Sequence, residues 1–194
     1  MRIAYDLDGV LRHIHQFLQE QYDVPDPQTW DWVYKRKNVF DWCKEENYRC
    51  LREAPVTEYF NTILKFNRRP EIWTAQPELW KKPTREWIRK HIGKYSKVIY
   101  LSTADKRKEL DKQKDMILVE DNPNMTHYDR ILLISRPYNQ KVKTNFRIKS
   151  PKELDIALRA FSILDYRKLT PDEITYGKTL EPLARKYLGE AHVT

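Results

Sequence analysis

Five short apolar runs set the rhythm of this chain: residues 2–5, 71–73, 97–101, 116–119 and 131–134. Each is aliphatic, β-branched or aromatic, and each is short enough for a strand buried on both faces of a parallel sheet. Between the later runs, apolar positions recur at helical spacing. Over 77–91 they are Leu79, Trp80, Trp87 and Ile88, continued by Ile92, with Gly93 as a stop. Residues 103–114 form a polar, charged helix candidate. Ser150-Pro151-Lys152-Glu153 combines an N-cap, a first-turn proline and a capping-box acid. It opens a helix carrying Leu154, Ala157, Leu158 and Phe161. Strands alternating with helices predict an α/β fold, with a parallel sheet covered on both faces.

The interval 13–55 breaks that rhythm. It holds no strand pattern, is rich in Trp, Tyr and Phe, and carries two or three helical patterns, one over 38–51. It is expected to be a helical cap inserted after the first strand and lying over the sheet's carboxyl edge, where insertions shape sites. The core is then residues 1–12 and 56–165. Thr170-Pro171-Asp172-Glu173 starts a further helix to about Leu188, making 166–194 a C-terminal helical extension.

At 194 residues the chain fits one domain with a small insertion. The net charge of +8 favours an anionic partner such as a nucleotide, a phosphate ester or nucleic acid. Much of that charge is local, in runs that usually face water, such as 35–37, 81–82 and 106–114. Cys43 and Cys50 lie seven apart on the 38–51 pattern. On one continuous helix their Cα atoms stand roughly 10 Å apart, too far for a disulfide, which suits a reducing compartment. Without a Cys-x-x-Cys pair, a zinc site joining them to His13 and His15 is disfavoured. Asp6 and Asp8 interrupt any N-terminal signal sequence, and no run approaches the ~20 apolar residues of a membrane span. The expectation is a cytoplasmic protein without a membrane partner.

Chemistry gathers where the predicted strands end. The first runs into Asp6-Leu7-Asp8-Gly9-Val10, two carboxylates spaced i, i+2 before a turn-permitting glycine. One acid can attack an electrophile or hold a hard cation while the other handles a proton. The second ends in Thr74-Ala75-Gln76, a hydroxyl followed by backbone amides opening a helix. That is either a phosphate cradle or a plain helix cap. After the third comes Lys106, taken over Lys108 as the cation that grips a phosphoryl group. The fourth ends in Glu120-Asp121; acids after a buried strand are costly unless paired or bound to metal. All four groups fall on the carboxyl edge, where open α/β sheets bind ligands.

In this combination and order, the chain resembles the haloacid dehalogenase superfamily of Mg²⁺-dependent phosphohydrolases, over roughly residues 1–165. Asp6-Leu7-Asp8-Gly9-Val10, Thr74, Lys106 and Glu120-Asp121 match its four motifs. Gly9-Val10, the small helical insertion and Arg136-Pro137-Tyr138-Asn139 after Asp121-Asn122-Pro123 are similar to the 5'(3')-deoxyribonucleotidase-like group, which includes phage members. The resemblance implies a Rossmann-like three-layer sheet. It implies Asp6 as nucleophile, forming an aspartyl-phosphate, and Asp8 as general acid and then base. Mg²⁺ would be held by Asp6, the Asp8 carbonyl and Asp121. Thr74, Ala75 and Lys106 would grip the phosphoryl oxygens. Glu120 stands where the family more often has Asp, so its longer side chain is placed behind the metal ligands. A long spacing from Lys106 to Glu120 keeps Lys108 open as the clamp.

The implied substrate is a small phosphomonoester, a (deoxy)nucleoside monophosphate first. Trp30, Trp32, Phe40 and Trp42 are candidates as a group to stack on a base, set against their packing within the helical insertion. The alternatives are a phosphatase acting on the 3'-phosphates of nucleic-acid ends, or a basic nucleic-acid-binding module without catalysis.

Overall fold

In a computed structural model, residues 2–125, 130–144 and 146–163 are described. Six strands run β1 (Arg2–Tyr5), β2 (Glu71–Thr74), β3 (Val98–Tyr100), β4 (Met116–Glu120), β5 (Ile131–Ile134) and β6 (Phe146–Ile148). They form one sheet in the order β3-β2-β1-β4-β5-β6, every neighbouring pair parallel. The helices are α1 (Ile14–Tyr22), α2 (Val39–Glu45), α3 (Arg49–Glu53), α4 (Phe60–Phe66), α5 (Glu78–His91), α6 (Thr103–Lys112) and α7 (Pro151–Ile163). This is a Rossmann-like three-layer α/β fold.

The pattern is self-consistent. β4 and β5 are buried at every position, as strands covered on both faces must be. One apolar cluster joins Tyr5, Ile117 and Val119 to Trp87 and to Leu158 of α7. A second, under the other face, joins Ala4, Trp73 and Leu118 to Leu110 of α6. The strand order reverses direction at β1: β2 and β3 lie on one side of it, β4 to β6 on the other. Ligands in such sheets bind outside the carboxyl ends at this switch point. The chain that leaves β1 and the chain that leaves β4 therefore diverge around one crevice.

Residues 14–54 build a third cluster, with Phe17, Leu18, Trp42 and Leu51 at its heart and Trp80 of α5 as its floor. Here the predicted 38–51 helix is corrected. It breaks into α2 and α3 because Asn47 and Tyr48 both take left-handed backbone, with φ of 48° and 60°. The break folds the two helices together and brings Cys43 Sγ to 2.8 Å from Cys50 Sγ, both buried. Separation along one straight helix is thus not what governs this pair. Two elements lie outside the predicted ones: α4, although Phe60, Ile63 and Leu64 have helical spacing, and the three-residue β6, whose Arg147 ties back to Asn139 and Val142. The helix expected from Thr170 lies outside the described residues.

Leu118, fully buried at the centre of the sheet, is expected to cost roughly 3 kcal/mol when truncated to Ala. Leu79→Ala, at a site 70% exposed, should stay within roughly 0.5 kcal/mol of wild type. Urea denaturation measures both.

Candidate active site

Asp6 is the first residue beyond β1, and its N–H donates to Val119 O of β4 at 2.8 Å. That bond seats its carboxyl group beside the end of β4, where Glu120 and Asp121 follow. All three acids are buried, and one carboxylate oxygen from each lies within 4.8 Å of the others. Among the described residues no other group of three His, Cys, Asp or Glu side chains is so arranged. The set with Cys43, Cys50, His13 and His15 does not assemble.

Three buried carboxylates repel, and one buried cation answers them. Lys106 Nζ sits 2.7 Å from Asp6 Oδ1 and 2.7 Å from Glu120 Oε2. The opening of α6 places it there: Ser102 caps the helix by accepting from Asp105 N, and Lys106 falls on the inward face one turn later. Lys106 is 3% exposed, whereas Lys108 is 72% exposed and pairs with Asp105. The geometry therefore separates the two lysines. Glu120 spends its other oxygen on the backbone N–H groups of Asp121 and Asn122. With both oxygens engaged, it orients the β4 end and Lys106.

Burial pushes the Asp6 carboxyl well above the usual carboxylate range, with Glu120 adding to the rise and Lys106 opposing it. Burial and Glu120 push Asp121 up to about 7, against the Tyr138 hydrogen bond, Arg136 and Lys106. Lys106 is raised: the pull of Asp6 and Glu120 outweighs its own desolvation. Three carboxylates thus share a closed space in which one ammonium contacts only two of them. Asp121 Oδ1 is buried without a hydrogen-bond partner. Oxygen donors in excess of the cations that contact them, and an orphaned acceptor, fit a hard divalent cation.

Asp8 stands apart from this triad. Its carboxylate accepts from Arg12 Nε at 2.6 Å and Nη2 at 3.1 Å, and from Gln76 Nε2 at 2.6 Å. Thr84 closes a ring by donating to Gln76 Oε1 and accepting from Arg12 Nη1. Arg12, 0% exposed, also donates to Leu51 O of α3, which joins the helical insertion to the first loop. Thr74 is buried at the end of β2, and Ala75 is exposed beside it. α5 begins with Pro77 as its cap residue, so Thr74 does not cap that helix.

The loop after β1 turns at Gly9, whose φ is +84°. A Cβ there would collide with Asp121 Oδ2, so close approach as well as conformation demands glycine. The turn after β5 holds the two loops together. Arg136 donates twice to Gly9 O, Tyr138 OH donates to Asp121 Oδ2, and Asn139 Nδ2 donates to Asp121 O at 2.8 Å. Sequence reasoning missed Arg12, Gln76 and Thr84. Its one available signal for Arg12 was the i, i+4 spacing from Asp8.

The aromatic candidates divide. Trp42 packs on Tyr22 inside the helical cluster, and Phe40 lies against Trp80. Trp30, 44% exposed, meets the Tyr138 ring at 5.6 Å, and His15 lies between Trp32 and Tyr138. Trp30 and Trp32 are thus the pair near the acidic centre. Neither models of known protein families nor curated proteins match the chain.

Two outcomes are expected in the metal-free protein. Lys106→Met, by leaving its carboxylates unpaired, should lower stability by roughly 3–5 kcal/mol at pH 8. The deficit should shrink toward pH 4 as those carboxyls take up protons. Denaturation in chelator at both pH values measures it, and equal deficits would refute the charge argument. Separately, burial pushes His15 down to about 4. An unfolded histidine titrates near 6.5, so folding loses stability as pH falls from about 6.5 toward 4. His15→Phe should gain roughly 2 kcal/mol on wild type between pH 7.5 and 4.5, read from paired denaturation curves.

Proposed function

We propose that this protein is a Mg²⁺-dependent phosphomonoester hydrolase that works through an aspartyl-phosphate on Asp6, with nucleoside monophosphates as its substrate class. The observation that carries the reading is the buried cluster of Asp6, Glu120 and Asp121, with Lys106 bridging Asp6 and Glu120, next to the end of β2 that carries Thr74. It accords with the likeness to the haloacid dehalogenase superfamily noted in the sequence.

The Asp6 carboxylate, the Asp8 carbonyl and Asp121 would hold the cation. A bound Mg²⁺ offsets the repulsion between carboxylates and phosphate and polarises the phosphoryl group. Asp6 attacks phosphorus, and the bond to the leaving oxygen breaks as that oxygen takes a proton from Asp8. Water then attacks the aspartyl-phosphate and gives a proton to Asp8, releasing inorganic phosphate and restoring Asp6. Thr74, the Ala75 amide and Lys106 grip the phosphoryl oxygens as charge develops. Asp8 Oδ2 accepts from both Arg12 and Gln76, whereas Oδ1 accepts from Arg12 alone and is the oxygen with a lone pair left to carry the proton. A base carried by the substrate would stack on Trp30, whose exposed ring adjoins Tyr138 above Asp121.

One surface favours a second reading, a phosphatase for the 3'-phosphates of nucleic-acid ends. A groove along α5 is lined by Lys81, Lys82, Arg85 and Arg89 with Glu78 and Glu86. Turnover of a 3'-phosphorylated oligonucleotide would then fall steeply with salt while that of a mononucleotide would not.

The test is hydrolysis of an aryl phosphate and of nucleoside monophosphates with Mg²⁺. Wild type should turn over both, chelator should abolish turnover, and Asp6→Asn should lose at least roughly 10³-fold. Trp30→Ala should lower kcat/KM about tenfold for nucleotides and leave the aryl phosphate nearly unchanged. Wild type and Asp6→Asn alike at background would reject the enzyme reading.

A further inference from the structure

The turn after β5 puts three polar side chains into the acidic centre from outside it. Arg136 holds the β1 loop through Gly9 O, at 2.9 Å from Nε and 2.6 Å from Nη2. Its remaining nitrogen is paired with Glu58 at 2.9 Å. Asn139 holds the β4 loop through Asp121 O at 2.8 Å, and is itself fixed by bonds to Ile134 O, Arg136 N and Arg147. Between them, Tyr138 reaches the Asp121 carboxylate itself, through Oδ2.

That contact divides the labour of the Asp121 carboxylate. Oδ2 is occupied by the phenol, and Oδ1 is the buried oxygen left without a donor. A carboxylate with one oxygen held by a fixed donor presents the other in one direction. The ring adjoins Trp30 at 5.6 Å and His15 at 6.3 Å between centroids. The Gly9 backbone closes the near side, where a Cβ would collide with Asp121 Oδ2 and crowd the Tyr138 hydroxyl.

We infer that Tyr138 is the positioning residue for the cation ligand Asp121, and that its ring, beside Trp30, is part of the aromatic surface on which a substrate base would sit. This rests on the metal site of the proposed function. Its hydroxyl holds Oδ2 and leaves Oδ1 to the cation, and its ring stands beside Trp30. The two roles belong to different parts of one side chain, so two substitutions separate them. Tyr138→Phe removes the hydroxyl and keeps the ring; Tyr138→Leu removes both.

The experiment is calorimetric titration of the protein with Mg²⁺ and with Mn²⁺ in the absence of any substrate, so that binding is read without turnover. Wild type should bind one cation. Tyr138→Phe should bind it 10- to 100-fold more weakly, the usual cost of removing a partner that orients a ligand. Tyr138→Leu should show the same loss of affinity and should also lose the preference for nucleotide over aryl phosphate, which Tyr138→Phe should keep. Trp30→Ala should leave cation affinity within twofold of wild type. Wild-type affinity in both Tyr138 variants would overturn the inference while leaving the metal site standing. A wild-type protein that binds neither cation would overturn the inference and the metal-dependent reading together.

Discussion

Everything at the carboxyl edge depends on how one ammonium group is buried. Lys106 lies between Asp6 and Glu120 at 2.7 Å from each, in a space almost closed to water. Taking such charges out of solvent costs several kcal/mol per ion, and only close mutual pairing offsets it. The pairing is incomplete. Three acids face one lysine, and Asp121 keeps a buried oxygen with no donor. A centre built purely for stability would have no reason to leave that imbalance, because apolar residues of similar volume serve at least as well. Perturbed carboxylates in a crevice are more characteristic of sites that bind or react.

The topology explains why these groups meet. Asp6 and Asp121 are 115 positions apart, yet β1 and β4 are adjacent and parallel, with Tyr5 opposite Val119. Parallel pairing in that register ends both strands at one level, so the next residues of each fall on the same rim. β2 pairs on the other side of β1 and brings Thr74 to that rim, while α6 delivers Lys106 from above the end of β3. The β5 turn then fastens the two acid-bearing loops through Arg136, Tyr138 and Asn139. The helical insertion joins the same network from its own side, through the bond from Arg12 to Leu51 O.

Much of this was legible in the chain because it rests on local pattern. The five apolar runs are strands of the sheet, and the capping signal at Ser150 sits at the start of α7. Asp6, Lys106, Glu120 and Asp121 stood out because a charged side chain at the end of a buried strand is costly unless a partner or a ligand compensates it. What escaped was set by tertiary contact or by unusual backbone. The ring of Asp8, Arg12, Gln76 and Thr84 forms only when α5 packs beside the first loop. No periodicity marks Asn47 and Tyr48 as left-handed, so the α2–α3 break and the approach of Cys43 to Cys50 were invisible. β6 is short, and its sheet position follows from pairing with β5 more than from its own three residues.

A cation between the first and fourth strand ends is what the proposed chemistry requires above all. Crystals soaked in Mn²⁺ and measured at an anomalous-scattering wavelength test it directly. The predicted result is one strong peak within about 2.2 Å of an Asp6 oxygen and of Asp121 Oδ1, with Lys106 still bridging Asp6 and Glu120. A fully soaked crystal with no peak there, and Asp121 Oδ1 satisfied by a protein donor instead, would contradict it.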